Sequence, residues 1–205
     1  MARPRKDSKL PSARERMEQA FWDLLRKHPY AEISMKEITR RAGVNHNTFY
    51  YHYTGMDELA EDALAHAIPQ DLVSAVLHGV TGSDEALARL ADDSALSERV
   101  EHLCLAASEH SSPRMRAMVR DSIRDAWFAI LNIDEQAMSV NSRLSVEVAL
   151  GIFMSLFSYR ADRSEDIALP ELLRTQSASM LRGMLPNMVM SALAADGALP
   201  ERTQN

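Results

Sequence analysis

The chain has 205 residues, of which 46% are apolar and 25% are charged, a composition typical of a globular protein rather than a disordered one. Only seven Gly and eight Pro are present, which disfavours a turn-rich all-β fold. The single cysteine, Cys104, excludes an intramolecular disulfide and a cysteine-based zinc site, so we expect a reducing, cytoplasmic location. We expect no signal peptide, because the N-terminal charges are not followed by an apolar core. The longest nearly uncharged apolar run, 148–159, is too short to span a bilayer.

Charge divides the chain into a basic head and an acidic body. Residues 1–56 carry 11 basic and 6 acidic side chains (net 11 − 6 = +5), and the remainder carries 12 and 23 (net 12 − 23 = −11). All four lysines lie at or before Lys36. This asymmetry is expected when one end of a protein meets a polyanion, although chance clustering of surface charge is an alternative.

Two helices are predicted first. Ser12 can cap a helix that should end near His28, because Pro29 disfavours helical geometry in the residue before it. Ser34, with Glu37 three residues on, has the form of a capping box that starts a second helix. The apolar stripe of the first helix consists of Met17, Ala20, Phe21, Leu24 and Leu25.

A tight turn and a third helix follow. Gly43 suits the left-handed turn that closes a helix. Asn45 can cap a helix over residues 46–53 that holds Phe49 and Tyr53 toward the core. Helix, glycine turn and helix in this succession form a helix-turn-helix pattern.

The remainder is predicted to be helical as well, so the chain is expected to be all-α. A fourth helix should start around residues 54–57, and Pro69 can break or bend it. The chain should loosen over residues 79–83, Pro186 should kink the last helix, and the tail after Asp196 should be disordered. The further helices are expected over residues 84–93, 97–109, 113–131, 141–160 and 170–193.

The third helix carries the residues suited to chemistry. Its polar side chains all offer hydrogen-bonding groups, and they are His46, Asn47, Thr48, Tyr50, Tyr51 and His52. A short helix of this kind can enter the major groove of DNA and read base edges. Lys36, Arg40 and Arg41 on the preceding helix add positive charge for backbone phosphates. Burial of these rings in a core or interface is the alternative, which we favour for Tyr53.

The segment from Gly43 to Tyr53, Gly-Val-Asn-His-Asn-Thr-Phe-Tyr-Tyr-His-Tyr, resembles the DNA-binding domain of TetR-family transcriptional regulators. In that family Gly-Val and a polar stretch precede Thr-Leu-Tyr, an aromatic residue that is often His, and Phe. The resemblance extends back through the first helix and forward to Leu59. Phe49 replaces the usual Leu, and Met56 stands where the family usually has a Lys that contacts phosphate, so that contact is not implied here.

The resemblance implies an all-α homodimer of nine or ten helices. A basic disordered arm (1–11) would precede a three-helix helix-turn-helix DNA-binding domain (12–56), followed by a larger helical effector-binding and dimerisation domain (57–195) and a disordered tail (196–205). We expect a cytoplasmic transcriptional regulator that binds a palindromic double-stranded DNA operator. The leading expectation is a repressor that an unknown small effector releases from the operator. Enzymatic activity, a cofactor and a metal site are not expected. A helical enzyme or carrier with a purely structural N-terminal unit, and an effector-less DNA-binding dimer controlled by a protein partner, are the alternatives.

The DNA contacts divide by expected role. The first turn of the third helix and the neighbouring lysine point to base edges, so we assign Lys36, His46, Asn47 and Tyr50 to bases. Residues toward the flanking strands are assigned to phosphates, namely Ser34, Arg40, Thr48, Tyr51 and His52. The arm adds further phosphate or minor-groove contacts through Arg3, Arg5, Lys6 and Lys9.

The body has two expected sites. No charge occurs between Glu147 and Arg160 and apolar residues cover nearly the whole circumference, which indicates a helix buried on both sides, most simply by its own core and a partner subunit. A central helix of a monomer is the alternative. The expected dimer-interface residues are Leu150, Phe153, Phe157, Leu173, Met180 and Met184. Methionines and aromatics that can line an adaptable apolar pocket, or equally fill a core, give the candidate effector residues His102, Met115, Met118, Trp127, Phe128 and Phe153.

Overall fold

In the computed structural model, residues 11–68, 94–163, 167 and 169–199 are described, and all regular structure in them is helical. The α-helices are α1 Ala13–Leu25, α2 Met35–Ala42, α3 His46–His52, α4 Met56–Ala67, α5 Ser94–Ala107, α6 Pro113–Leu131, α7 Val140–Asp162, α8 Leu169–Arg174 and α9 Gln176–Ala195. Short 3-10 turns at Tyr30–Glu32 and Glu135–Ala137 complete the set. The all-α prediction is confirmed. The predicted arm up to residue 10, the break at Pro69, the loop at 79–83 and the helix at 84–93 lie outside the described residues.

The chain forms two compact units, and the first ends at Ala63, within α4. The reason is the first half of α4, which packs into the helix-turn-helix unit through the buried Leu59, Ala60 and Ala63. The Tyr30 hydroxyl also donates a hydrogen bond to the carboxylate of Asp57 in the first turn of this helix. These contacts place the first half of α4 in the first unit.

Local capping fixes the first three helices, as predicted. Ser12 and Glu15 form a capping box at the start of α1, and Ser34 and Glu37 form another at the start of α2. Gly43 closes α2 with φ = 62°, in the left-handed region where a Cβ is unfavourable. α1 ends at Leu25, three residues before the predicted end, and the 3-10 turn after Pro29 was not predicted.

Two arginines join α1 to α2 in opposite directions. Arg16 of α1 donates from Nη1 to the carbonyl oxygens of Ala42, at 2.8 Å, and Gly43, at 3.4 Å. Arg41 of α2 donates from Nη2 and Nε to Oδ2 of Asp23 in α1, at 2.7 and 3.0 Å. In the same unit the apolar side chains Met17, Phe21, Leu25, Ile38 and Phe49 are completely buried. Arg16 thus holds the turn between α2 and α3 to α1, and Arg41 joins the end of α2 to α1 a second time.

The second unit is built around α7, which packs against α5, α6, α8 and α9. The predicted single helix over 170–193 is two helices, because Thr175 ends α8 and its hydroxyl accepts a hydrogen bond from the backbone N–H of Ala178 to cap α9. Pro186 lies inside α9, which continues through it to Ala195.

α7 is the one helix among the described residues with the length and composition to cross a membrane. The core helix of a globular protein meets the same criterion, and α7 fits that description on one side. Its buried residues are Ser142, Val146, Ala149, Leu150, Phe153 and Phe157.

The end of α9 closes onto the start of α7. Oδ2 of Asp196 accepts a hydrogen bond from the backbone N–H of Ser139 at 2.8 Å and another from the hydroxyl of Ser142. The carbonyl of Ala198 accepts from the N–H of Asp134 at 2.9 Å, and Ala198 itself is buried. The hydrogen bonds from Ser142 and Ser139 lower the pKa of the Asp196 carboxyl. The predicted disordered tail therefore does not begin at residue 196, since Asp196 and Ala198 make these hydrogen bonds.

Replacing Gly43 by Ala should destabilise the first unit by about 1 to 2 kcal/mol, because an L side chain is unfavourable at its positive φ. Trp22 is buried in the first unit and Trp127 in the second, and they are the two tryptophans of the chain. Guanidinium unfolding followed by fluorescence in a Trp127→Phe background therefore reports the first unit alone.

Gly55→Ala is the matched control, since no neighbouring atom lies within 4 Å of an added Cβ there and its φ lies outside the left-handed region. It should shift the unfolding free energy by less than about 0.5 kcal/mol. Equal losses for the two variants would show that the backbone conformation at Gly43 is not the cause.

Candidate nucleic-acid interface

The helix α3 is oriented by the residues that it buries. Asn45 caps it, accepting at Oδ1 a hydrogen bond from the backbone N–H of Thr48 at 2.8 Å. Phe49 is completely buried and Tyr53, the residue that ends the helix, is 3% exposed, as the sequence predicted. The opposite side of the helix consequently lies at the surface.

The outward side of α3 carries four exposed residues, of which Tyr51 is 85% and Tyr50 is 53% exposed. The other two are His46 and Asn47 in its first turn. The rings of His46 and Tyr50 meet edge to face with centroids 4.9 Å apart, and those of Tyr51 and the half-buried His52 do the same at 5.1 Å. Exposed aromatic rings ordered by their neighbours lose little entropy when they bind a partner.

Two hydroxyls predicted to contact phosphate already donate within the protein. The Thr48 hydroxyl donates to Asn45 Oδ1 at 2.9 Å, and the Ser34 hydroxyl donates to Glu37 Oε2 at 2.8 Å. The hydrogen bonds from the hydroxyl and backbone N–H of Ser34 lower the pKa of the Glu37 carboxyl, with a further contribution from the charge of Arg40. Either hydroxyl would have to exchange its partner before it could donate to a phosphate oxygen.

The basic residues of α2 differ in their availability. Lys36 and Arg40 are exposed. Arg41, which the sequence suggested as an additional phosphate contact, is instead ion-paired with Asp23 of α1. This pair lies far apart in sequence, so local pattern could not reveal it.

Sequence reasoning missed a polar cluster behind α3, formed by Arg14, Glu18, Tyr53 and Asp62. The Tyr53 hydroxyl oxygen lies 3.0 Å from Asp62 Oδ2 and 3.3 Å from Glu18 Oε1. Arg14 Nε lies 2.7 Å from the same Asp62 oxygen and 3.2 Å from Glu18 Oε1. Burial, followed by the hydrogen bond to Asp62, raises the pKa of Tyr53, so its phenol keeps its proton. Only the spacing of Arg14 and Glu18, one helical turn apart, was visible in the sequence.

The candidate effector residues lie on three helices of the second unit. Trp127 of α6 and Phe153 of α7 are brought together edge to face, with ring centroids 5.0 Å apart. His102 and Met115 are buried as well, whereas Met118 and Phe128 are half-buried. This packing is equally that of a helical core, and their role in binding an effector stays a prediction.

The candidate dimer residues separate into two groups. Those buried within the single chain are Leu150, Phe153, Phe157 and Leu173. Met180 and Met184 of α9 are 69% and 57% exposed. Exposed apolar residues of α7 recur every fourth position at Val140, Leu144 and Val148, and none of the three is among the predicted interface residues.

Comparisons with known proteins identify the first unit. Residues 20–63 match the family described as bacterial regulatory proteins, tetR family, which confirms the resemblance found in the sequence. The uncharacterized HTH-type transcriptional regulator YxbF of Bacillus subtilis (strain 168) is 38% identical over 56 residues, 27% of this chain but only 15% of that relative. Among solved structures, the dihydroxyacetone kinase operon activator DhaS covers 89% of this chain, and 97% of its own length, with a TM-score of 0.41 and 14% identity.

Replacing Asn45 by Ala should destabilise the first unit by about 1 kcal/mol, because the backbone N–H of Thr48 loses its capping acceptor. The fluorescence of Trp22 during guanidinium unfolding, again in the Trp127→Phe background, measures this loss. The same substitution at the exposed Asn47, two residues on, should change the unfolding free energy by less than about 0.5 kcal/mol, since Ala is a better helix former. A larger loss at Asn47 than at Asn45 would contradict the capping role.

Proposed function

Because residues 20–63 belong to the tetR family of bacterial regulatory proteins, we propose that this protein is a DNA-binding transcriptional regulator. The observation that carries the proposal is the outward side of α3, where His46, Asn47, Tyr50 and Tyr51 are exposed around a helix whose inward residues are buried. A seven-residue helix presented in this way fits the major groove, where such side chains meet base edges. The net positive charge of residues 1–56 favours the approach to DNA.

The contacts divide between bases and phosphates. His46 and Asn47 in the first turn of α3, with Lys36 and Tyr50, read base edges. Tyr51 is the most exposed of the aromatic residues, and its hydroxyl suits a phosphate oxygen beside the groove. The remaining phosphate contacts come from Ser34, Arg40, Thr48 and His52.

The regulator acts in the cytoplasm as a repressor that a small effector releases. The second unit supplies the effector site around Trp127 and Phe153, where flexible and aromatic side chains lie together. Effector binding shifts the separation of two DNA-binding units, and the half-site spacing of a palindromic operator, roughly 34–36 Å, is then lost.

Two copies of the chain pair through α7 and α9. These helices contact each other within one chain, and their exposed apolar residues offer a joint surface for the second copy. No charged residue occurs in the sequence between Glu147 and Arg160 on α7 or between Arg182 and Asp196 on α9. Of the exposed apolar residues, Val148 and Met184 lie within these uncharged stretches, and exposed apolar surface is characteristic of an interface between subunits.

The division of roles on α3 predicts two different effects on DNA binding. Asn47→Ala should change the preferred base at one position of the half-site, with a loss of discrimination of about 1–3 kcal/mol. Tyr51→Phe should weaken all sites alike, because phosphate contacts carry no direct sequence information. Selection of bound duplexes from a random library, sequenced for the unmodified protein and both variants, measures both effects.

Two outcomes of this selection would count against the proposal. Recovery of no preferred sequence by the unmodified protein would contradict DNA-binding regulation itself. An altered preferred sequence for Tyr51→Phe, with an unchanged one for Asn47→Ala, would overturn the division of roles only.

The dimer surface predicts that Leu144→Glu and Met180→Glu each yield a folded monomer. Both side chains are exposed in the single chain, so the charge leaves the fold intact but becomes buried and unpaired on dimerisation. Sedimentation velocity measures the mass, and circular dichroism the helix content. Ile130→Glu on α6, at a side chain that is 41% exposed, is the matched control and should remain dimeric. A dimer that persists in both α7 and α9 variants would place the interface elsewhere.

A further inference from the structure

The polar cluster of Arg14, Glu18, Tyr53 and Asp62 joins three helices at one point. Tyr53 directly follows α3, Arg14 and Glu18 lie on α1, and Asp62 lies on α4. The link between α3 and the other two helices is the Tyr53 hydroxyl, at 3.0 Å from Asp62 and 3.3 Å from Glu18. Arg14 also joins the cluster, since it contacts both carboxylates and hydrogen-bonds to the Tyr53 hydroxyl.

The Tyr53 hydroxyl can donate one hydrogen bond, and carboxylate oxygens are its nearby acceptors. A tyrosine hydroxyl has one hydrogen to donate, and the nearer oxygen is that of Asp62. The guanidinium of Arg14 compensates the charge of the two carboxylates, which keeps them in place as acceptors. Hydrogen bonds to a charged acceptor are stronger than neutral ones, particularly where water has limited access.

Filling space does not require this hydroxyl. The ring of Tyr53 is buried and packs against Phe49 with centroids 5.7 Å apart, which a phenylalanine could reproduce. The oxygen is therefore an addition to the core, and it is placed where it meets two carboxylates.

The short length of α3 makes its orientation dependent on such contacts. A helix of seven residues is marginal by itself and is held by tertiary interactions. Its start is fixed by the Asn45 cap and its middle by Phe49, whereas its end meets α1 and α4 through Tyr53.

We propose that the Tyr53 hydroxyl is a positioning group that fixes the end of the recognition helix α3 against α1 and α4 through Asp62 and Glu18. The inference rests on the proposed function for its consequence, which is the presentation of His46, Asn47 and Tyr50 to DNA. The positioning itself is a property of the protein without DNA and is testable there.

The decisive variant is Tyr53→Phe, which removes one oxygen and keeps the ring. Its matched control is Tyr30→Phe, which removes a tyrosine hydroxyl that donates to another carboxylate of α4, that of Asp57. Amide hydrogen exchange of the full-length protein without DNA should become about tenfold faster for residues 49–53 in Tyr53→Phe, relative to residues 17–25 of α1. Tyr30→Phe should leave this ratio unchanged.

A merely structural role gives a different result. If Tyr53→Phe accelerates exchange equally in α1 and α3, or leaves residues 49–53 unchanged, the hydroxyl does not position α3 and the inference is wrong. Asp62→Asn, which weakens the acceptor and leaves Tyr53 in place, should accelerate exchange of residues 49–53 in the same way.

The consequence for DNA is measured separately, with a duplex recovered by selection with the unmodified protein. Tyr53→Phe should weaken binding of this duplex about tenfold, with the preferred sequence unchanged, while Tyr30→Phe stays within about twofold. Affinity equal to that of the unmodified protein would contradict the positioning role. If the selection recovers no preferred sequence, the proposed function is wrong. The exchange experiment would still decide whether Tyr53 positions α3.

Discussion

The hydrogen bonds from Arg16 to the carbonyl oxygens of Ala42 and Gly43 are the interaction on which the rest of the first unit depends. They occupy carbonyls at the end of α2, where the helix leaves its last acceptors unsatisfied, and they do so at the residue whose left-handed backbone turns the chain toward α3. Because α1 supplies the guanidinium, the direction of the turn is fixed relative to α1, the longest helix of the unit. The return contact from Arg41 to Asp23 keeps the two helices from sliding, and α3 can then expose one side while Phe49 fills the space beneath the turn.

How far the sequence predicts this arrangement depends on the separation of the contacts. The caps at Ser12, Ser34 and Asn45 join residues three apart, so a pattern of a few letters contains both partners, and all three form as predicted. The contact of Arg14 with Asp62 joins residues 48 apart and that of Arg16 with Ala42 joins residues 26 apart, and no periodicity indicates which arginine meets which acceptor. The prediction of an exposed polar side on α3 succeeded because Phe49 and Tyr53 determine it locally. The contribution of the Tyr53 hydroxyl depends on folded geometry, and so it was missed.

The second unit illustrates the same limit for apolar residues. A helix that is apolar around its circumference is expected to be covered on all sides, but composition does not say which side meets its own chain. In α7 the residues at 146, 149, 150, 153 and 157 point inward, while Val140, Leu144 and Val148 stay exposed. The break between α8 and α9 was missed for a simpler reason, since a threonine with helical neighbours on both sides is read as part of one helix until its side chain is seen to cap the next.

The closure of Asp196 and Ala198 onto the start of α7 bears on the order in which the chain can fold during synthesis. The first unit ends at Ala63, so most of its structure can form while the ribosome is still translating the body. The first turn of α7, by contrast, waits for a carboxylate that is translated 57 residues after Ser139. Until residue 198 has left the exit tunnel, the backbone N–H of Asp134 between α6 and α7 lacks its acceptor, so this end of the body is completed last.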